Sequence, residues 1–581
     1  VDARRASTPL DLTDEVMLKL AGQFQRLIAI CIRHPGGKTD LALLGIVIAL
    51  TLGSVYASVR LIEWTGAFYS AIEEIDGPAI LAQIGVFAII VGLNSARHLI
   101  AEYLRKILEI RWRQKLTEKA IALWTTDKAY WHMANATDGR VDNPDQRIAE
   151  DCRLFVRGAL NEALDLISRV VGLFSFVALL WTLADFPLSL ALLGIDIEVP
   201  HYMVWAAFLY VAISSVVTHL LGKPLKSLFA QQQHREADFR YAMARWRSSF
   251  DEVALAGGEA AEVRQFKQRF GALAHNWRRL IRREFVLGSF TYPFTHSVLR
   301  IPLFVALPGY IAGHVAFGGL MQLSTAFSQV VTTLSWFIFS YRDLADLVAT
   351  GTRLDDFMEN ARRRAQTRSA IAHADRADGL RLTGLRLSTP DDRHLLDLAE
   401  LSVRPGECVW LKGASGIGKS TLMKAIAGYW PHGQGEVSRT REGWMFVPQS
   451  SYLPLGTLEE AVAYPSRVEE IGAGAIRTLL AEVGLGHRLC DGGEPVSEAG
   501  LSGGERQRLA IARLLGQAPR WAMLDEATSA LDAAAETQLL QRVRECLPDT
   551  TLIIIAHRPP QALGAFRTID LDLARDQAVA A

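Results

Sequence analysis

The strongest constraint in this chain is where its positive charge is missing. No Lys or Arg occurs between Arg169 and Lys223, nor between Arg300 and Arg342. Each gap has room for two membrane-crossing helices of about 20 residues and a short turn. Apolar stretches of that length occur six times before residue 345, near 41–59, 80–96, 167–183, 202–221, 286–312 and 320–339. Buried helices of a soluble core rarely run so long without a basic residue, so the pattern predicts six membrane spans. Pro293 and Pro302 interrupt the fifth and predict a kink there.

The remaining charges orient these spans. Arg105, Lys106, Arg111, Arg113 and Lys115 follow the second, and Lys223, Lys226, Arg235 and Arg240 follow the fourth. The loop after the first carries Glu73, Glu74 and Asp76, and the loop between the third and fourth carries Asp185, Asp196 and Glu198. Basic loops stay on the cytoplasmic side, which puts the 97–160 and 223–285 connections, both termini and everything after 345 in the cytosol. Both connections keep helical periodicity, so the spans are expected to continue into the cytosol as long helices. The N-terminal stretch has no short apolar core with a small-residue cleavage site, so it does not read as a cleavable signal. Its apolar residues from about 10 to 32 recur at helical spacing, which suits an interfacial helix and equally a soluble amphipathic one.

At 581 residues the chain is too long for one compact domain. Half of it is hydrophobic, and that excess lies almost wholly before residue 345. A soluble domain therefore follows the membrane domain. The 62 basic and 62 acidic residues balance, which argues against a general nucleic-acid partner. Cys31, Cys152, Cys408, Cys490 and Cys546 are isolated and match no metal-ligand or redox spacing. Within the spans, His219, His296 and Arg300 are costly to bury. His296 and Arg300 stand four residues apart, hence on one face of a continuous helix, where they are candidates to line a translocation cavity.

After a polar, Arg-rich linker the sequence alternates as strands do. A strand near 408–412 runs directly into Gly413, Ala414, Ser415, Gly416, Ile417, Gly418, Lys419, Ser420 and Thr421, and then into a periodic helix. This is a phosphate-binding loop in its proper setting: glycines let backbone N–H groups wrap phosphates at a helix N-terminus. Lys419 supplies a point charge to the β- and γ-phosphates, and the Ser420 hydroxyl ligates Mg²⁺. Further on, an apolar strand ends in Asp525 and Glu526, placed to reach the Mg²⁺ shell and an attacking water respectively. Another apolar strand ends just before His557, a candidate contact to the γ-phosphate.

Leu501, Ser502, Gly503, Gly504 and Glu505, followed by Arg506, Gln507 and Arg508, resemble the signature motif of ABC ATPases. Physically this is a second anion nest at a helix start. The resemblance implies that the nest closes over ATP held by a partner subunit, hence a head-to-tail dimer of two copies with two complete sites. Gln449 matches the family's glutamine loop, a further Mg²⁺ contact, and Ser529 to Asp532 match its D-loop. The usual adenine-stacking aromatic is missing before the phosphate loop, where Pro390 and His394 stand instead.

In the membrane half, the stretch from Glu63 through Phe68 and Tyr69 looks like a segment of bacterial BacA/SbmA-like transporters. The stretch from Asn143 through Arg147 to Asp151 is shared by these proteins and by peroxisomal fatty-acyl half-transporters. The resemblance implies a multidomain membrane protein: a six-helix, all-α transmembrane domain of the exporter type joined to an α/β P-loop ABC ATPase domain. It divides as an N-terminal amphipathic segment at 1–38, spans within 39–357, a linker at 358–378 and the ATPase at 379–575. ATP and Mg²⁺ are the implied cofactors, and a second copy, the bilayer and a transported small molecule or peptide the implied partners. The expected place is a bacterial inner membrane. The bacterial branch points to uptake of peptides, bleomycin-like compounds or cobalamin, and the peroxisomal one to fatty acyl-CoA.

Overall fold

The computed structural model describes residues 9–136, 143–189, 198–298, 300–367, 369–375, 379–490 and 500–572. Asp196, Arg368, Arg376 and the last residues of the expected ATPase domain lie outside them. Two compact units emerge, one of residues 1–123 and 142–359, the other of residues 124–141 and 360–581.

The first unit is helical. α1 (Pro9–Ile32), α2 (Gly37–Glu73), α3 (Gly77–Thr125), α5 (Cys152–Leu183), α6 (Tyr202–Arg247), the short α7 (Phe250–Ala256), α8 (Glu259–Ser297), α9 (Ile301–Ile311), α10 (Phe317–Phe339) and α11 (Tyr341–Ala365) follow in order, with α4 (Ala129–Ala134) belonging to the second unit. Among the described residues, five helical stretches are long and apolar enough to cross a membrane: Gly37–Glu73, Gly77–Ala134, Pro144–Leu183, Tyr202–Arg247 and Glu259–Ile311. The sixth expected span falls on α10, which is not among those five. No more than 22 % of any of these apolar windows is buried within the protein, which leaves surface for lipid.

α10 is the centre of this unit, packing on α2, α5, α6 and α9. Ile62, Leu180, Met203, Leu323, Phe327 and Val330 form its core. The approach of α10 to α2 is close enough that a Cβ on Gly318 would strike Ser70 and the Gly66 carbonyl. Small residues at such crossings let backbones meet where lipid offers no hydrophobic drive. The fifth apolar stretch breaks where its prolines predict: α8 contains Pro293, ends at Ser297, and α9 restarts with Pro302 in its first turn. α1 buries Leu27 and Cys31, sets Phe24 against Phe155 with the rings tilted at 57° and pairs Arg26 with Asp355 of α11 at 2.5 and 3.0 Å.

The second unit carries two sheets. β1 (Ile371–Asp375), β2 (Leu380–Ser388), β3 (His394–Val403) and β5 (Gly433–Arg439) form one, in the order β1-β5-β2-β3. The other is wholly parallel, in the order β9-β4-β8-β7-β6, from β4 (Cys408–Lys412), β6 (Trp444–Val447), β7 (Trp521–Asp525), β8 (Thr551–Ile555) and β9 (Arg567–Asp570). β7 and β8 are buried at every residue, the condition of central parallel strands covered on both faces. Their carboxyl ends, with that of β4, deliver the loops of the site to one edge, where open α/β sheets bind ligands. The helices α12 (Lys419–Ile426), α13 (Leu458–Ala463), α14 (Ala473–Glu482), α15 (Gly503–Gln517) and α16 (Ala533–Cys546) complete this unit.

α4 also packs here. Trp131 meets Tyr429 at 4.9 Å and Trp430 at 5.8 Å, and the Lys128 ammonium lies 4.5 Å over the Tyr429 ring. Asp127 and Lys128 hold left-handed backbone, with φ of 46° and 56°. That conformation is disfavoured for both and turns the chain sharply into α4.

Candidate functional site: a nucleotide-binding edge

Between β4 and α12 the chain reverses through Gly416 at φ 83° and Gly418 at φ 106°, which only glycine adopts without strain. Space over Gly416 is open, so backbone N–H groups there can approach a ligand. Lys419 donates to the carbonyls of Gly413 (2.7 Å) and Ala414 (3.1 Å), which hold its ammonium against the loop. Leu395, next to His394 on β3, packs 3.4 Å from where a Gly418 Cβ would be, bringing one of the two adenine candidates beside the loop. His394 itself is bonded to Asp397 at 3.2 Å.

β7 ends at Asp525, which is 5 % exposed and hydrogen-bonded to Ser420. Burial pushes its carboxyl above the usual range, while the Ser420 bond and Lys419 pull it back. This pair fits Mg²⁺, a hard cation that takes oxygen ligands and charge from a carboxylate. When bound, the ion would neutralise phosphate charge; the chain's own part is to hold Ser420 and Asp525 in register from adjacent elements.

Glu526 takes left-handed backbone at φ 49°, and its N–H donates to Ile555 of β8 at 2.9 Å. Backbone strain of this kind persists only where surrounding contacts impose it. Its carboxylate accepts from the Gln449 amide at 2.8 Å and meets His557 Nε2 at 3.0 Å. Three of the sequence-selected residues, brought in from β6, β7 and β8, thus share one carboxylate. A carboxylate held by two flexible polar partners can accept a proton from water while they reorient to a phosphate.

Ser502 begins α15 through a reciprocal cap: its Oγ accepts from the Glu505 N–H at 3.3 Å, and its own N–H donates to Glu505 at 2.8 Å. The Ser502 hydroxyl proton is left for a second partner. Arg488 at 3.0 Å, then the Ser502 N–H, hold the Glu505 carboxyl down to about 2. Gly503 and Gly504 face Ala530 and Leu531 of their own unit, not the phosphate loop. Asp532 uses its carboxylate to cap α16 at Ala535 N, 2.8 Å.

Two residues here have roles that the sequence did not assign. Gln507 accepts from Ala530 N at 2.7 Å and donates to Ser529 at 3.1 Å, tying the signature helix to the D-loop. Asp572, just beyond β9, accepts from Ala414 N at 3.0 and 3.2 Å and fixes the entry of the phosphate loop. Neither has a local signal, since each partner is distant in sequence.

In the helical unit, His296 is exposed and sets its ring against Tyr292 at 4.6 Å. Arg300 is exposed and stands outside α8, at the start of α9, so the two lie on opposite sides of the helix break. His219 is exposed on α6. Sequence reasoning passed over Arg97, which donates to Leu50 O at 2.5 Å and Asn94 at 3.0 Å from within an apolar helix.

A strained glutamate beside a phosphate loop defines a P-loop ATPase, here in one chain with a bundle of membrane-length helices. Comparison with known proteins places it more closely. Residues 27–304 match the family described as ABC transporter transmembrane region 2, and residues 396–529 match the family described as ABC transporter. The inner membrane ABC transporter ATP-binding protein YddA of Escherichia coli is 32 % identical over 556 residues, spanning 94 % of this chain and 97 % of YddA. The ABC transporter D family member 2 of Arabidopsis thaliana is 28 % identical, over 89 % of this chain and 81 % of its own. The human lysosomal cobalamin transporter ABCD4 is 26 % identical, over 86 % of each. The chain belongs to the ABC transporters, as a half-transporter that fuses membrane and ATP-binding regions and couples ATP hydrolysis, with Mg²⁺, to transport.

Proposed function

We propose that two copies of this chain form a homodimeric ABC transporter that takes up hydrophilic compounds, cobalamin first among them, across a bacterial inner membrane. The observation that carries the dimer is that Gly503 and Gly504 turn toward their own D-loop rather than toward the phosphate loop. A signature nest needs a phosphate to bind, and a second copy supplies one. In each site Lys419 and the 413–421 backbone bind phosphate, and Ser420, Asp525 and Gln449 would hold Mg²⁺. Glu526 accepts the proton of the attacking water, and His557 donates to the γ-phosphate. Ser502 to Gly504 and the D-loop at Asp532 come from the second copy. His296 and Arg300 line the path of the cargo among six spans, with the termini and both ATPase domains cytoplasmic.

Support for the cargo comes from likeness to the human lysosomal cobalamin transporter over most of both chains. A second reading, a transporter of lipids or fatty acyl-CoA, draws on the stretch from Asn143 to Asp151 shared with peroxisomal half-transporters. There Asp151, 2 % exposed, is bonded by Arg147 and doubly by Arg353. Proteoliposomes of known orientation, given ATP and labelled cobalamin, peptide or acyl-CoA, separate the two. ATP-dependent accumulation of cobalamin or peptide alone supports uptake of hydrophilic cargo. Accumulation of acyl-CoA alone overturns it.

A further inference from the structure

α6 and α8 run side by side beyond the apolar part of the membrane unit and enclose a cavity of about 520 Å³. Its α8 wall is His275, Arg278, Arg279, Arg282 and Arg283. Positions 275, 278, 279 and 282 follow the spacing of one helix face, so three guanidiniums and an imidazole converge on one space, and Arg283 at its edge adds a fourth guanidinium. All five are exposed, and none forms an ion pair among the described residues. The neighbouring Glu284 does not line the cavity. Like charges this close repel and are destabilising on a helix unless an anion joins them.

The wall is rigid. Asn276 is fully buried beneath it and donates to Leu228 O (3.1 Å) and Gln232 Oε1 (3.0 Å) of α6. Leu225, Leu228 and Leu280 form a small apolar core below, with Leu287 and Phe229 against it. On the α6 side the cavity is lined by Pro224, Ser227 and Leu228, with the Pro224 carbonyl accepting the Ser227 hydroxyl at 3.1 Å. Pro224 and Leu228 give the cavity an apolar side facing the guanidiniums, which suits an amphiphile with an anionic head.

The height of the cavity says which one. The Lys- and Arg-free run of α6 ends at Gly222, and that of α8 begins after Glu284. These ends coincide in space: a Cβ on Gly222 would stand 4.0 Å from Leu287. Arg283 and Arg279 then lie about 6 and 12 Å from that level at 1.5 Å per residue. The headgroup layer beyond each side of the hydrocarbon core is about 5–7 Å thick, so Arg282 and Arg283 lie at its depth and the next pair snorkels back toward it.

We propose that this α6–α8 cavity binds the phosphate of an anionic phospholipid in the adjoining leaflet. The guanidiniums donate to phosphate oxygens, and the acyl chains leave past Pro224 and Leu228. A basic pocket between helices at this depth is the expected recognition mode for such headgroups. Full-length protein in nanodiscs of phosphatidylcholine with a minority of phosphatidylglycerol would be released, and its retained lipids counted by native mass spectrometry. Wild type is expected to enrich phosphatidylglycerol about tenfold over its bulk share. R278Q/R279Q/R282Q/R283Q should lose that enrichment, the corresponding four-lysine variant keep most of it, and R264Q/K267Q, elsewhere on α8, keep all of it. Should the four-glutamine variant fail to fold, R282Q/R283Q is read instead and should halve the enrichment. Unchanged enrichment in the glutamine variants overturns the proposal. So does displacement of the lipid by inorganic phosphate, which would assign the cavity to a soluble anion.

Discussion

Replacing Glu526 by Gln removes one negative charge and almost no volume. The Gln449 amide still finds an acceptor oxygen at the position it now occupies, 2.8 Å away. His557 also keeps a polar neighbour where it now meets the carboxylate at 3.0 Å. What is lost is the ability to accept a proton from water. General-base assistance contributes about 10²–10⁴-fold, so turnover should fall by that factor, about 2.7–5.5 kcal/mol of transition-state stabilisation. Lys419, Ser420 and the 413–421 backbone are untouched, and Ser420 stays bonded to Asp525, so ATP affinity should change less than threefold, under about 0.7 kcal/mol. The assay is phosphate release from purified protein in nanodiscs, beside equilibrium binding of a fluorescent ATP analogue. ATPase activity within tenfold of wild type would refute the assignment of Glu526 as base. Loss of binding equal to the loss of turnover would refute the separation of binding from chemistry.

Other consequences are as specific. Trp131→Ala removes the ring packed on Tyr429 and Trp430 and should weaken docking of α4 by about 2 kcal/mol; faster amide exchange over 124–136 with intact ATP binding is the expected sign, and unchanged exchange counts against it. Glu505 has its carboxyl depressed to about 2. Its stabilisation is therefore present above the unfolded value of about 4.3 and lost as pH falls from there through about 2. Amide protection of the first turn of α15 should follow that window, and Arg488→Gln should move its midpoint upward; a pH-independent cap contradicts this. Gly318→Ala places a methyl against Ser70 and the Gly66 carbonyl and should cost about 1–3 kcal/mol, read as a lower melting temperature in detergent. A wild-type melt would show that α2 and α10 do not cross so closely.

What the sequence made legible was chemistry carried by neighbouring residues. The phosphate loop, the strand ending in Asp525 and Glu526, and the Ser502 cap each write their geometry in a few consecutive positions. So did the break in the fifth apolar stretch, because Pro293 and Pro302 act on their own turns. Contacts made across the chain were not legible. Asp572 reaches Ala414 over a separation of 158 residues, and Gln507 reaches Ala530 only once β7 has brought the D-loop back. The docking of Trp131 on Tyr429 and Trp430 has no local signature either, since an aromatic in a six-residue helix fits many surfaces. The i,i+4 relation of His296 and Arg300 failed for a local reason: it assumes an unbroken helix, and α8 ends between them.

The central claim is that each ATP is held between the phosphate loop of one copy and the signature nest of the other. Lys419→Ala and Ser502→Arg each damage both sites of a homodimer. In a mixed dimer of the two variants both lesions fall into one site and the other is whole. Random assembly of equal amounts should therefore restore about a quarter of wild-type sites, the half that are mixed dimers carrying one intact site of two. The measurement is occlusion of labelled ATP by each variant alone and by the coexpressed pair. Neither variant alone should occlude ATP, and the pair should occlude about a quarter of the wild-type amount. No occlusion by the pair, with both variants folded and dimeric, would contradict it.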